Sequence, residues 1–158
     1  ATQYQDQVSR DSCVELFVQP VQHGGYFNFE FNCGGVMLLY YIIGNADGGG
    51  LGEHVPVPEA RAAAIRVMTT LPGTISTESA DPVDWRLTAM IPLQLMEHYV
   101  GPIPTEAGQG WRGNVFKCAS RVARPHWGSW SDIGDVLNFH QPDRFGTFRL
   151  GESCGITR

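Results

Sequence analysis

The chain has 158 residues, a formal net charge of −5 at pH 7, 17% charged residues, 11% aromatic residues, 19 glycines and 10 prolines. This charge argues against binding to nucleic acid or to an anionic membrane surface, because few cations are left to pair with phosphates. Few charges with many turn formers and aromatics are typical of an all-β protein, and the length fits one domain over residues 1–158.

Two strands of a β-hairpin are predicted at residues 12–18 and 26–33, because apolar and polar residues alternate along both. A slip of one residue would turn every side chain of a strand to the other face of the sheet. The register that gathers the apolar side chains on one face is therefore the predicted one. Pairing Leu16 with Phe29 gathers a predicted core on one face: Val14, Leu16, Val18, Phe27, Phe29 and Phe31. The other face then carries Cys13, Glu15, Phe17, Asn28, Glu30 and Asn32.

In this register Glu15 lies directly opposite Glu30. Two like charges opposite each other on adjacent strands are destabilising unless something compensates. A cation, a nearby arginine, a shared proton or a ligand rich in hydroxyl groups would do so. The alternative left open is a pair of carboxylates on a solvated sheet face that avoid each other.

The central part of the chain is predicted to add strands, loops and short helical segments. Residues 36–43 are apolar on both faces, which predicts a central strand, and this longest apolar run is far too short to span a bilayer. Residues 45–58 are predicted to be a loop, in which a solvated role for Asp47, Glu53 and His54 is favoured over metal binding. The remaining elements are one helical turn at 58–63, strands at 65–71, 84–91 and 111–118, and a short helix at 92–99.

Residues 125–150 combine an aromatic-rich loop with a final strand at 145–150. Flat rings cover the apolar face of a pyranose and short polar groups take its hydroxyls, so this composition suits a sugar-binding surface. The alternative is an ordered loop whose rings close one end of the core. Within the fold, Trp85, Trp130 and Phe148 are assigned to the core. The pattern predicts an antiparallel β-sandwich, jelly-roll or immunoglobulin-like, with one short helix.

The sequence lacks the common catalytic and cofactor-binding motifs, which disfavours an enzymatic function. The chain contains no phosphate-binding loop, dinucleotide fingerprint, nucleophile elbow or HExxH sequence. Glu15 and Glu30 could act as a glycosidase pair, but neither has an obvious partner that would separate their pKa values. Haem ligation by a Met and a His is also conceivable, although no spacing selects one pair.

The four cysteines are too far apart in sequence for a zinc motif. They are Cys13, Cys33, Cys118 and Cys154. For Cys13, Cys33 and Cys118, which sit in strand-like segments, buried thiols are favoured over disulfides, which remain open.

Five segments in order resemble family 9 carbohydrate-binding modules, closest to the family-9-like branch of bacterial polysaccharide-degrading systems. They are DSCVELFV from residue 11, YFNFEFN from residue 26, NVFKC from residue 114, PHWGSWS from residue 125 and NFHQPDRFG from residue 138. The resemblance covers about residues 8–150. It implies a noncatalytic β-sandwich that binds plant-type glycans of the xylan or cellulose class, with the reducing end held between two aromatic rings.

The resemblance also implies roles for individual residues. Glu15 falls on a position that bonds sugar hydroxyls, and Glu30 falls where founding members carry a sugar-contacting Arg. In the family, two Trp rings clamp the terminal sugar. Phe139 falls on the position of one of these rings, and Ser9 falls at about the position of the other, so one ring of the clamp is absent. We therefore expect hydrogen bonding by Glu15, Glu30 and Asn32, stacking by Phe139 and Trp127, and a rim formed by Asn138 and His140.

The wider implications of the resemblance concern cofactors and partners. It implies structural calcium, attachment to or cooperation with a glycoside hydrolase, and a secreted, periplasmic or cell-surface location. The family's first strands are expected to be missing, which would expose a sheet edge that a second copy could cover. Two further hypotheses are an assembly module that has lost its sugar site and a haem-binding redox domain.

Overall fold

The computed structural model describes residues 1–44, 50–71, 73, 75 and 77–152. Nine strands lie in this part of the chain: β1 Cys13–Gln19, β2 Tyr26–Asn32, β3 Met37–Ile42, β4 His54–Pro56, β5 Arg66–Thr69, β6 Leu87–Met90, β7 Gly110–Ala119, β8 His126–Ser129 and β9 Gly146–Arg149. The same part of the chain contains two α-helices, α1 Glu59–Ala62 and α2 Leu93–Val100, and two short 3₁₀ helices, Val8–Arg10 and Pro142–Arg144. The predicted all-β class is confirmed.

The strands form two antiparallel sheets that make the predicted β-sandwich. The larger sheet has the order β4-β3-β2-β1-β7-β8, and β9 pairs with the start of β7. The smaller sheet contains β5 and β6. The edge strands β4 and β8 have three and four residues, and such short edges limit unwanted pairing.

The predicted register of the first hairpin is confirmed, with Leu16 opposite Phe29. Its apolar face meets the smaller sheet and α2 in the main core. The fully or nearly buried members of this core are Val18, Phe27, Phe29, Phe31, Leu39, Val57, Ala62, Ile65, Leu95, Met96 and Ile103. The period-two alternation of β1 and β2 therefore positions the centre of the sandwich.

The opposite face of the large sheet is also buried. Glu15 is 4% exposed and Glu30 is 8% exposed, so the alternative of solvated carboxylates is wrong. The segment of residues 131–145 supplies part of the cover, because Ile133, Phe139 and Phe145 pack with Phe17 and Phe116. Two smaller apolar clusters thus surround the carboxylates on this second face.

Helix α2 lies close to the predicted helix. Pro92 precedes it, and Gly101 follows it at a φ of 75°, a left-handed value at which glycine ends helices. Leu95 and Met96 are buried in the main core. At eight residues α2 is the longest described helix, and no helix among the described residues could cross a bilayer.

Some predicted placements were wrong. Trp130 is 57% exposed and not in the core, because its ring stacks on Phe148 at 5.1 Å at the edge of the sheet. Trp85 is half-buried, whereas Phe148, also half-buried, packs against the main core as predicted. Strands β4 and β8 were predicted to be loop, since neither carries an apolar alternation that would mark it. His54 begins β4, with its ring 4.6 Å from that of Tyr40, while Asp47 lies outside the described residues.

Candidate functional site

The candidate site begins with the carboxylates of β1 and β2. Glu15 and Glu30 lie directly opposite each other. The backbone N–H of Cys33 donates to the carbonyl of Ser12, and because hydrogen-bonded and non-hydrogen-bonded pairs alternate, Glu15 and Glu30 form a non-hydrogen-bonded pair. The α-carbons of such a pair are only about 4.5 Å apart and their side chains are close. The hairpin therefore forces two carboxyl groups together.

Each carboxyl group has one side-chain hydrogen-bond partner among the described residues. Cys118 Sγ donates to Glu15 Oε1 at 2.9 Å, and Asn28 Nδ2 donates to Glu30 Oε1 at 2.9 Å. The only ion pair within the described residues joins the amino group of Ala1 to Asp11, so neither glutamate has a cationic partner there. Asn28 Oδ1 is buried and accepts no hydrogen bond from the described part of the chain. The pair is thus rich in acceptors and lacks compensating charge.

Burial and mutual repulsion govern the protonation of the pair. Burial raises the pKa of Glu15 well above its usual range, and the charge of Glu30 raises it further. Burial also raises the pKa of Glu30, against the opposing effect of the hydrogen bond from Asn28. Both shifts follow from the cost of placing charge in a poorly solvated site. The site therefore favours a proton, a cation or a hydrogen-bond donor between the two carboxyl groups.

An aromatic wall stands beside the carboxylates. Phe116 of β7 is opposite Glu15, and the ring of Phe139 stacks on it with centroids 4.1 Å apart and planes 12° apart. The Nδ1 atom of His140 is 2.7 Å from the hydroxyl of Tyr26. Burial lowers the pKa of His140 to about 4, so its ring is neutral at pH 7. These contacts hold residues 139 and 140 against the sheet.

The other predicted site residues have different surroundings. Trp127 of β8 is opposite Cys118 and 47% exposed, so it lies on the same face of the sheet as Glu15 but at the edge. Asn138 Oδ1 accepts from the backbone N–H of His140. Asn32 donates to Asp11 Oδ2 and accepts from the backbone N–H groups of residues 34 and 36. Its amide is committed to the turn after β2.

The sequence did not reveal two cysteines that belong to this site. Cys13 and Cys118 are buried and directly opposite each other on β1 and β7. With Glu15 they form a group whose potential metal-ligand atoms all lie within 4.8 Å of one another, the only such group of three or more among the described residues. The cysteines are too far apart in sequence to form a zinc motif, but the pairing of β1 with β7 brings Cys13 and Cys118 together in space. Only the hairpin register could have placed Cys13 near Glu15 in advance.

Two comparisons with known proteins agree with this architecture. The family model of carbohydrate-binding family 9 matches residues 1–150. A crystal structure of a candidate carbohydrate-binding protein from Bacteroides uniformis is similar, with a TM-score of 0.83 and 28% sequence identity. The match covers 95% of this chain and 66% of that protein, so the chain spans about two-thirds of its length. No curated protein matches.

Proposed function

This chain belongs to carbohydrate-binding family 9, and we propose that it binds plant-type glycans of the xylan or cellulose class without catalysing their cleavage. The observation that carries the proposal is Trp127, which is 47% exposed on the sheet face that also carries the Glu15–Glu30 pair and the half-buried ring of Phe139. Carboxylates accept hydrogen bonds from sugar hydroxyls, and rings cover the apolar sugar face.

The second oxygen of each carboxyl group is the proposed contact for a sugar hydroxyl. Neither Oε2 atom accepts a hydrogen bond from the described residues, since both recorded bonds go to Oε1. Glu15 and Glu30 are 4% and 8% exposed, so each side chain offers only a small surface to a sugar hydroxyl.

The charge of the site supports a neutral ligand. The described residues place no arginine or lysine in an ion pair with Glu15 or Glu30, and the chain carries a net charge of −5. A uronic acid would be repelled by both, whereas neutral xylose or glucose units would only donate hydroxyl hydrogens. Binding through a few such contacts should be weak, with a Kd on the order of micromolar to millimolar.

Two exposed tryptophans near the same sheet edge provide a matched test. Trp127 lies on the face of Glu15, whereas Trp130 stacks on Phe148 on the other face. Trp127→Ala should weaken binding of xylo- or cello-oligosaccharides about tenfold, the equivalent of ~1.4 kcal/mol, because a stacking ring is lost. Trp130→Ala should leave the Kd unchanged. Isothermal titration calorimetry measures both, and equal Kd values for the two variants would contradict the proposed face.

We further propose that the site holds the reducing end of the glycan, that calcium stabilises the fold, and that the module works beside a glycoside hydrolase outside the cytoplasm. The support for these points is family membership. Calorimetry with oligosaccharides whose reducing end has been chemically reduced, in calcium and in chelator, tests the first two. Heat that vanishes on reduction supports end recognition. Absence of heat with every glycan would refute sugar binding and favour an assembly role.

A further inference from the structure

The most unusual group on the buried second face is the set of Cys13, Glu15 and Cys118. Its ligand atoms lie within 4.8 Å of one another, and all three side chains are almost fully buried. We propose that these three residues form a binding site for a thiolate-preferring divalent cation of the zinc class. This site goes beyond glycan binding, although it shares Glu15 with the proposed sugar site.

The donor set determines which cation would bind. Two cysteine sulfurs and one carboxylate suit Zn²⁺, which takes four ligands in a tetrahedron and often leaves the fourth position to water. Calcium takes six to eight oxygen ligands and does not fit. With Zn–S bonds of about 2.3 Å, two sulfurs at tetrahedral corners are about 3.8 Å apart. That distance is below the 4.8 Å within which the ligand atoms of the group lie.

The surrounding charges supply an independent reason for a cation. Glu15 is 4% exposed and, among the described residues, faces Glu30 with no cationic partner. One divalent cation would offset the carboxylates that the hairpin forces together. Binding would exchange protons for metal: each thiol that ligates releases one proton, and Glu15 releases a third if it is protonated. Because protons compete with the metal for these ligands, the affinity for the cation should fall as the pH is lowered.

The pairing of the strands disfavours a disulfide at this position. The backbone N–H of Trp130 donates to the carbonyl of Val115, so the backbone N–H and C=O groups of odd-numbered residues in β7 point towards β8. Those of even-numbered residues, including Cys118, point towards β1. Cys13 and Cys118 are therefore a hydrogen-bonded pair, with α-carbons about 5.5 Å apart and side chains farther apart than in a non-hydrogen-bonded pair. Both cysteines are free thiols in the structure. Two free thiols converging on one carboxylate suit metal ligation.

Cobalt titration of the full chain, stripped of metal and kept reduced with a phosphine, tests the site. We expect one Co²⁺ per chain and a thiolate-to-cobalt charge-transfer absorption in the near ultraviolet. Cys118→Ser and Cys13→Ser should each weaken binding at least tenfold. Cys33→Ser is the matched control, because Cys33 is a free thiol outside the group, and it should bind like the unaltered chain. Binding that survives both Cys13→Ser and Cys118→Ser would overturn the proposal.

A measurement on the unaltered protein covers the case in which the buried variants fail to fold. X-ray absorption at the zinc edge should show two sulfur neighbours at about 2.3 Å. A shell of only oxygen or nitrogen, the absence of stoichiometric metal, or a Cys13–Cys118 disulfide in the protein as expressed would each overturn the site. Sugar binding has no part in these readouts, so glycan calorimetry on the same samples separates failure of the metal site from failure of the sugar site.

Discussion

Replacing Phe116 by alanine should lower the free energy of unfolding by about 3–5 kcal/mol, the usual cost of truncating a buried phenylalanine. Phe116 is 1% exposed. Its ring contacts Phe139 with centroids 4.1 Å apart and Phe17 with centroids 4.9 Å apart. The cavity left by alanine would remove the support of Phe139 as well as core packing. For a domain of this size we expect the Tm to fall by about 6–20 °C.

Urea unfolding followed by tryptophan fluorescence measures this loss, and Val115→Ala is the control. Val115 is the neighbouring residue of β7 but is 41% exposed, so its truncation should cost far less. Limited proteolysis should cut Phe116→Ala within residues 131–145 faster than it cuts the unaltered chain, because Phe139 anchors that segment. A Phe116→Ala protein as stable as Val115→Ala would show that the stacked rings contribute little.

Replacing Glu30 by glutamine should make the protein more stable at pH 8 and leave its stability nearly unchanged at pH 4. Burial raises the pKa of Glu30 in the folded state. The folded state therefore holds its proton to higher pH than the unfolded chain, and stability is lost as the pH rises above the unfolded value through the folded one. Glutamine keeps the acceptor for Asn28 Nδ2 and removes the charge that faces Glu15.

The gain at pH 8 should exceed any difference at pH 4, because the pKa of Glu30 is raised in the folded state above its value in the unfolded chain. Thermal unfolding between pH 4 and pH 8 measures it as a Tm difference that grows with pH. Glu106→Gln is the control, because Glu106 is exposed and should show no such trend. His140 produces the opposite slope, since its folded-state pKa of about 4 favours folding as the pH rises, but this contribution is common to both proteins. A Glu30→Gln protein less stable than the unaltered chain at pH 8 would indicate a cation bound between the carboxylates.

These two expectations connect folding with function. The same strands that build the core bring Glu15 and Glu30 together, and the same ring that supports the second face holds Phe139 beside them. A binding surface on adjacent strands is held more rigidly than one on loops alone. The unfavourable charge pair is a local conflict of the kind that proteins retain at functional sites.

The sequence by itself determined the first hairpin and its most informative consequence. Alternation along residues 12–18 and 26–33 selects one register, and that register alone predicts the opposed carboxylates Glu15 and Glu30, which the structure contains. It also determined the class of fold and the short helix before Gly101. These features are local, because a period of two within neighbouring strands and the residues at helix ends act over a few positions.

Only the tertiary structure decided what covers the carboxylates and what lies beside them. Alternation shows which side chains share a face, but it does not show whether that face meets solvent or a distant segment such as residues 131–145. The sequence also did not show that Cys13 lies opposite Cys118 or that Trp130 is exposed. The physical reason is that pairing between β1 and β7 joins residues about a hundred positions apart, and its stability comes from burial shared across the whole sandwich rather than from any local pattern.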